Sequence, residues 1–270
     1  MRHLYVAWQD GGTREWIPVA LLSEAVGGYS LRYTRGARRC SGFIGLGRMS
    51  DLGKIYYSQT LFPFFQNRVV SKSRPEYKSY LSWLGLTNVT EDPLSVLSVT
   101  GGLRATDSFE LVPAPHREGD HLVLDFFPRG LRHMPPATVA SIAVLTPGTR
   151  LYLLRDIQNS FDPKALLLRS DAPTVAIGYL AKYYGAGLDR LLGLNAQDVI
   201  VKVKQVNTEA PLDMRLLCTL TAPWSESFQL LESEDDFSPW TDEISDLSSN
   251  STLGAASLSL NVEVEPVNRP

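Results

Sequence analysis

The chain has 270 residues, of which 44% are hydrophobic and 20% charged, with two cysteines and a formal net charge of −3. This length suits two domains of ordinary size, and the apolar content is that of a globular protein able to build cores. No apolar stretch is long enough to cross a bilayer, so no membrane partner is expected, and Cys40 and Cys218 are too far apart to make a metal-ligand pair.

The opening Met1-Arg-His-Leu-Tyr-Val-Ala-Trp8 has no charged start followed by an apolar run. It reads as a strand rather than a secretory signal, and with so few cysteines the expected setting is the reducing cytoplasm. The net charge hides an asymmetry. From Glu232 onward nine acids face one base, Arg269, which leaves 25 bases and 20 acids in residues 1–231. A body of about +5 is compatible with a polyanionic partner.

Residues 1–60 alternate in the manner of strands. Leu4–Trp8, Trp16–Leu22 and Tyr29–Tyr33 are separated by Gly11-Gly12 and Gly27-Gly28, which predicts a meander. From Leu61 to Leu86 the spacing of Phe64, Phe65, Val69, Tyr77, Tyr80, Leu81 and Leu84 predicts helices, with Pro75 opening the second and Gly85 closing it. Asp92-Pro-Leu-Ser-Val-Leu97 reads as a further short helix capped by Asp92, and Phe109–Pro113 as a strand. The Pro-rich, polar run Pro113–Asp120 marks the domain boundary.

Beyond it, Leu122–Phe127 is a predicted strand and Pro135-Pro136 leads into Val139–Leu145. Leu151–Leu154 and Ala165–Leu168 form a hairpin around a polar loop. Val175–Leu180 is a strand leading to a helix over Gly187–Leu194, and Val199–Val206 and Leu216–Thr221 are the last strands. After Glu232 the chain is acidic and Ser-rich and is expected to be loose, although Trp240, Leu253 and the alternating stretch Leu258–Val264 leave room for a docked strand.

Catalytic chemistry finds no foothold. His3, His116, His121 and His133 are scattered, and the His116/Asp120/His121 grouping falls in the expected linker. There is no Walker loop and no Gly-x-Ser-x-Gly elbow, and Gly42-Phe-Ile-Gly45-Leu-Gly47 has the wrong order of glycines for a dinucleotide fingerprint. The expectation is a protein that is not an enzyme and needs no cofactor.

Within residues 140–192, three segments carry a family resemblance. They are Val144-Leu-Thr-Pro-Gly148-Thr-Arg-Leu-Tyr-Leu-Leu-Arg155-Asp-Ile-Gln-Asn159-Ser-Phe161-Asp162-Pro-Lys-Ala165-Leu, then Ile177-Gly178-Tyr-Leu180, then Leu188-Asp-Arg-Leu-Leu192. In order and spacing they resemble the HIRAN domain, and with the later strands the resemblance covers about 119–231. It implies a small β-barrel that binds the 3′ end of single-stranded DNA. Phe126 or Phe127 and Phe161 would stack on the terminal base, Asn159 and Asp162 would position the end, and Arg129, Arg155 and Lys182 would meet phosphates. The residues themselves say that Asn159 and Asp162 set a turn, and that Phe161 either plugs the barrel or stands out as a stacking platform. Asp125 stands where a DNA-binding relative carries Arg.

Residues 1–115 carry a more diffuse resemblance. Leu4–Trp8, Tyr29–Tyr33, Leu61-Phe-Pro-Phe-Phe-Gln-Asn67 and Asp92–Leu97 with Thr100-Gly-Gly102 are similar to the N-terminal subdomain of HipA-type toxin kinases, with the kinase core absent. The expected architecture is therefore mainly β with short helices (α+β) in two small domains. Residues 1–115 are HipA-like, 116–231 form a HIRAN-like barrel, and 232–270 are an acidic tail. The expected function is non-catalytic binding of single-stranded DNA or DNA 3′ ends in a bacterial toxin–antitoxin or defence context. Arg32, Arg35, Arg38, Arg39, Arg68, Lys72, Arg74 and Lys78 would add electrostatic affinity. The alternative is an antitoxin-like regulator that contacts a HipA-type kinase or a helix-turn-helix protein.

Overall fold

The computed structural model describes residues 2–86, 92–224, 231 and 235–240. Among them the chain is mainly β with short helices and forms two sheets. It divides into two compact units. One holds residues 2–68, 102–111 and 235–240, and the other holds residues 69–86, 92–101, 112–224 and 231. Residues 69–86 and 92–101 group with the second unit. The reason is packing: Leu84 and Val96 share an apolar cluster with Phe127 and Leu217.

In the first unit, β1 (His3–Gln9), β2 (Trp16–Ala25), β3 (Gly28–Tyr33), β4 (Tyr56–Ser58) and β5 (Phe109–Pro113) form a sheet in the order β4-β3-β2-β1-β5. The expected meander is present, and β1 and β2 run antiparallel from His3 opposite Ser23 to Gln9 opposite Trp16. Pro18 lies inside this strand pair, where a missing N–H would normally break the ladder. The register shifts at Val6/Ala7, just where Pro18 stands opposite Ala7, so the irregularity accommodates it.

Tyr33 is the pivot of the core. Its ring is almost fully buried, its hydroxyl donates to the Met49 carbonyl, and it accepts from the Leu46 amide at 2.9 Å. Burial pushes its pKa well above the ordinary phenol range. Helix α2 (Pro63–Gln66) brings Phe64 beside Phe109, with ring centroids 5.1 Å apart.

Two expectations about charge are corrected in this unit. Arg68, expected to add surface affinity, is a core residue. Its guanidinium lies 4.3 Å from the Phe64 ring centroid and donates to the Gly102 carbonyl at 2.9 Å and to Asp107 at 2.7 Å. The basic run Arg35-Gly-Ala-Arg38-Arg39 is a short helix, α1 (Arg35–Arg39), with Gly36 and Ala37 buried, and the acidic segment after 232 is not loose throughout. Residues 235–240 dock on α1. Arg35 pairs with Asp235 at 2.5 Å, Arg39 with Asp236 at 2.6 Å, and Arg38 lies 4.1 Å from the Trp240 ring centroid. Phe237 anchors the segment, buried edge-on against Tyr5. Leu253 and Leu258–Val264 lie outside the described residues.

The second unit begins with α3 (Tyr77–Trp83) and α4 (Pro93–Thr100). Asp92 caps α4 by accepting from the Leu94 and Ser95 amides, and Gly101 closes it at φ +70°, so the capping chemistry seen in the sequence is realised. Next come β6 (His116–Glu118), β7 (His121–Phe126), α5 (Pro136–Ala143), β8 (Arg150–Arg155), β9 (Leu166–Arg169) and β10 (Ala176–Tyr179). Helix α6 (Gly185–Asn195), β11 (Ile200–Val206) and β12 (Leu216–Pro223) complete the unit. The presumed linker thus contributes a strand, since β6 pairs with β7 from His116 opposite Val123 to Glu118 opposite His121.

The seven strands run in the order β10-β9-β8-β11-β12-β7-β6. Among the described residues no closed barrel is found, so the expected barrel is not confirmed. Near the sheet's two ends the chain makes only a bridge between Arg129, just past β7, and Tyr179 in β10, and one pair of hydrogen bonds does not make a ladder. Alternation sets the two faces. Leu151, Leu168, Val201 and Val203 are buried on one side, while Arg150 and Lys202 are exposed on the other. Among the described residues no helix is long and apolar enough to cross a membrane, and no group of three His, Cys, Asp or Glu could hold a metal ion.

Candidate functional site

The loop between β8 and β9 is built by its own short polar side chains. Asn159 Oδ1 accepts from the Phe161 amide at 3.0 Å and from the Asp162 amide at 3.1 Å. Asp162 Oδ1 accepts from the Lys164 amide at 2.9 Å. These are Asx turns, in which a side chain replaces the backbone partner that a regular ladder would have supplied. The base of the loop is closed by Asp156 and Ala165, whose backbones bond at 3.0 Å.

The consequence for Phe161 is decisive. Its side chain is 97% exposed, so it plugs nothing and stands at the tip of a loop whose backbone is held in place. A phenylalanine fully in water is unusual enough to ask what covers it, and Ile157 in the same loop is 83% exposed.

Phe126 and Phe127 behave in the opposite way and are corrected. They are 7% and 8% exposed, and Phe127 packs in the cluster with Leu84, Val96 and Leu217. Neither ring offers a face to a base. Asp125, the charge reversal noted in the sequence, is neutralised locally. It accepts from Lys204 and from the Thr219 hydroxyl, each at 2.5 Å.

The expected cations are placed on different elements. Arg155 ends β8 and pairs with Asp189 of α6 at 2.5 Å, with more than half of its side chain still in water. Lys182 is exposed in the turn before α6, and its ammonium lies 5.9 Å from the Tyr183 ring centroid. Arg129 is joined to the site through the backbone. Its N–H donates to the Tyr179 carbonyl at 2.7 Å and its carbonyl accepts from the Tyr179 amide at 2.9 Å.

Two residues of the site were not singled out from the sequence. The Tyr179 hydroxyl donates to Asp156 Oδ2 at 2.8 Å, and Asn159 Nδ2 donates to the same oxygen at 3.3 Å. The carboxylate bond holds the Tyr179 pKa above the usual phenol range, with burial adding to it. Asp156 and Tyr179 thus tie the loop to β10, and through β10 to Arg129. Gly178 makes this approach possible, because a Cβ there would meet the Arg129 carbonyl oxygen at 2.8 Å and Leu131 Cδ1 at 3.1 Å. The signal in the sequence was the Ile177-Gly178-Tyr-Leu180 quartet, where a glycine inside a strand marks close backbone contact.

No family model matches the chain, and no curated protein matches it. Two solved structures are similar to part of it. One is a protein from Lactobacillus plantarum, at 20% identity and a TM-score of 0.28, covering 38% of this chain and 89% of that one. The other is the HIRAN domain of human HLTF, at 17% identity and a TM-score of 0.27, covering 39% of this chain and 78% of that one. The HipA-type resemblance of residues 1–115 finds no support in these comparisons, and the residues of the loop themselves carry the functional reading.

Proposed function

We propose that this protein is a non-catalytic DNA-binding protein that takes single-stranded DNA, with its 3′ end at the β8–β9 loop. The observation that carries the reading is Phe161, an aromatic ring held out in water by Asn159 and Asp162. Stacking of a base on such a ring contributes about 1–3 kcal/mol and tolerates any sequence, because every base has a π-face. The Asn159–Asp156–Tyr179 network keeps the loop in one conformation, so little entropy is lost on binding. Arg129, Arg155 and Lys182 supply charge for phosphates. The setting we propose is a bacterial toxin–antitoxin or defence system, on the resemblance of residues 1–115.

The test is titration of labelled oligonucleotides with free and blocked 3′ ends, using the intact protein and Phe161→Ala. Preference for the free end, and its loss in the variant, supports the reading. Equal affinity for both ends would sink end recognition, and unchanged affinity in Phe161→Ala would remove the stacking role.

A further inference from the structure

The solvent face of the second sheet carries a feature outside the loop. Arg150 stands directly opposite Lys202 across the β8–β11 pair, and Tyr152 stands opposite Arg169 across β8–β9. Arg150 and Tyr152 are two residues apart on one strand, so all four side chains share a face. On the other face the neighbours Leu151, Leu168 and Val201 are buried, which fixes the outward direction of the four. Both guanidinium groups lie over the tyrosine ring, Arg150 at 5.3 Å and Arg169 at 4.7 Å from its centroid. A ring shared by two arginines offsets part of their mutual repulsion without consuming their charge.

Nearby acids leave most of this charge standing. Asp171 approaches Arg169 at 3.3 Å, and Asp125 is taken by Lys204. The row ends at Lys202, because next to it on β12 comes Thr219, which bonds Asp125. The outward positions of β8 run from Arg150 and Tyr152 to Leu154, next to the strand's end at Arg155, so the row leads along one continuous strand to the loop.

We infer that Arg150, Arg169 and Lys202, ordered around Tyr152, form a phosphate track that extends the loop site along the outer face of β8, β9 and β11. Its ligand is the sugar-phosphate backbone of the same single strand whose end lies at Phe161, so this rests on the proposed function. The track reads charge and not sequence. Its contribution therefore grows with oligonucleotide length and falls with salt, by about 0.7 in the log–log slope for each phosphate contact on a single strand.

The experiment compares a dinucleotide with an oligonucleotide of about eight nucleotides, within the range one such groove accommodates, over a salt series. Intact protein is set beside Arg150→Gln/Arg169→Gln/Lys202→Gln. We expect the variant to bind the longer oligonucleotide on the order of tenfold more weakly at low salt, with a slope shallower by about 2, and to bind the dinucleotide unchanged. Arg169 also donates to the Ser170 carbonyl at 2.9 Å, so Arg150→Gln/Lys202→Gln, which touches exposed residues only, is the second variant. Its slope should fall by about 1.4. If the intact protein prefers free 3′ ends but neither variant changes slope or length dependence, the track is wrong and the loop site stands. If the intact protein binds neither oligonucleotide, both fall together.

Discussion

The two units use arginine in different ways. In the first, Arg68 is enclosed between rings and pairs with Asp107, and the exposed Arg35 and Arg39 are paired with Asp235 and Asp236. In the second, Arg150 and Lys202 stand open on a sheet face. The sequence showed only a surplus of bases over residues 1–231 as a whole. The comparison teaches that an electrostatic footprint depends on which cations lack an internal acid, not on how many are present. The same contrast holds for the phenylalanines within the second unit, where Phe127 is core and Phe161 is in water.

Substitutions rank this contrast by their effect on stability. The largest loss is expected for Phe127→Ala, about 3–5 kcal/mol in urea unfolding followed by circular dichroism, because the cavity lies in a packed cluster. A loss below about 1 kcal/mol would mean that the ring is not core and would reopen its role in binding. Arg68→Met should cost about 2–3 kcal/mol, less than a fully buried pair loses because Asp107 keeps some contact with water, and should leave the salt slope of DNA binding unchanged. A shallower slope would show that Arg68 reaches a phosphate after all.

Gly178→Ala should cost about 1–3 kcal/mol, since its Cβ would press on the Arg129 carbonyl, and should weaken oligonucleotide binding by displacing β10 from the loop. Asn159→Ala should cost about 1 kcal/mol and release the Phe161 and Asp162 amides, broadening their resonances in NMR spectra. Smallest of all, Phe161→Ala should change stability by less than about 0.5 kcal/mol while removing end binding. Unfolding of that variant would return the ring to a structural role.

Much of the fold was legible because the relevant signals are local. The alternation of Leu4–Trp8 and Tyr29–Tyr33 foretold β1 and β3, and Asp92-Pro93 marked the start of α4, since capping depends on residues two or three apart. The Asn159/Asp162 turn was legible for the same reason. Less visible was the register shift at Val6/Ala7 that lets Pro18 sit inside the expected strand β2.

The sequence by itself determined the strand periodicity, the helix caps and the polar turn that shapes the loop, because each is decided by backbone chemistry within a few residues. Only the tertiary structure decided that Phe126 and Phe127 face inward and Phe161 outward, that Asp235, Asp236 and Trp240 meet Arg35, Arg39 and Arg38, and that Tyr179 reaches Asp156. These are contacts between residues 23 to about 200 positions apart, as in Tyr179–Asp156 and Arg35–Asp235, and no local pattern encodes them. Whether the second sheet closes is of the same kind. Closure into a barrel depends on the stagger summed over every strand pair, which no single strand's composition reveals.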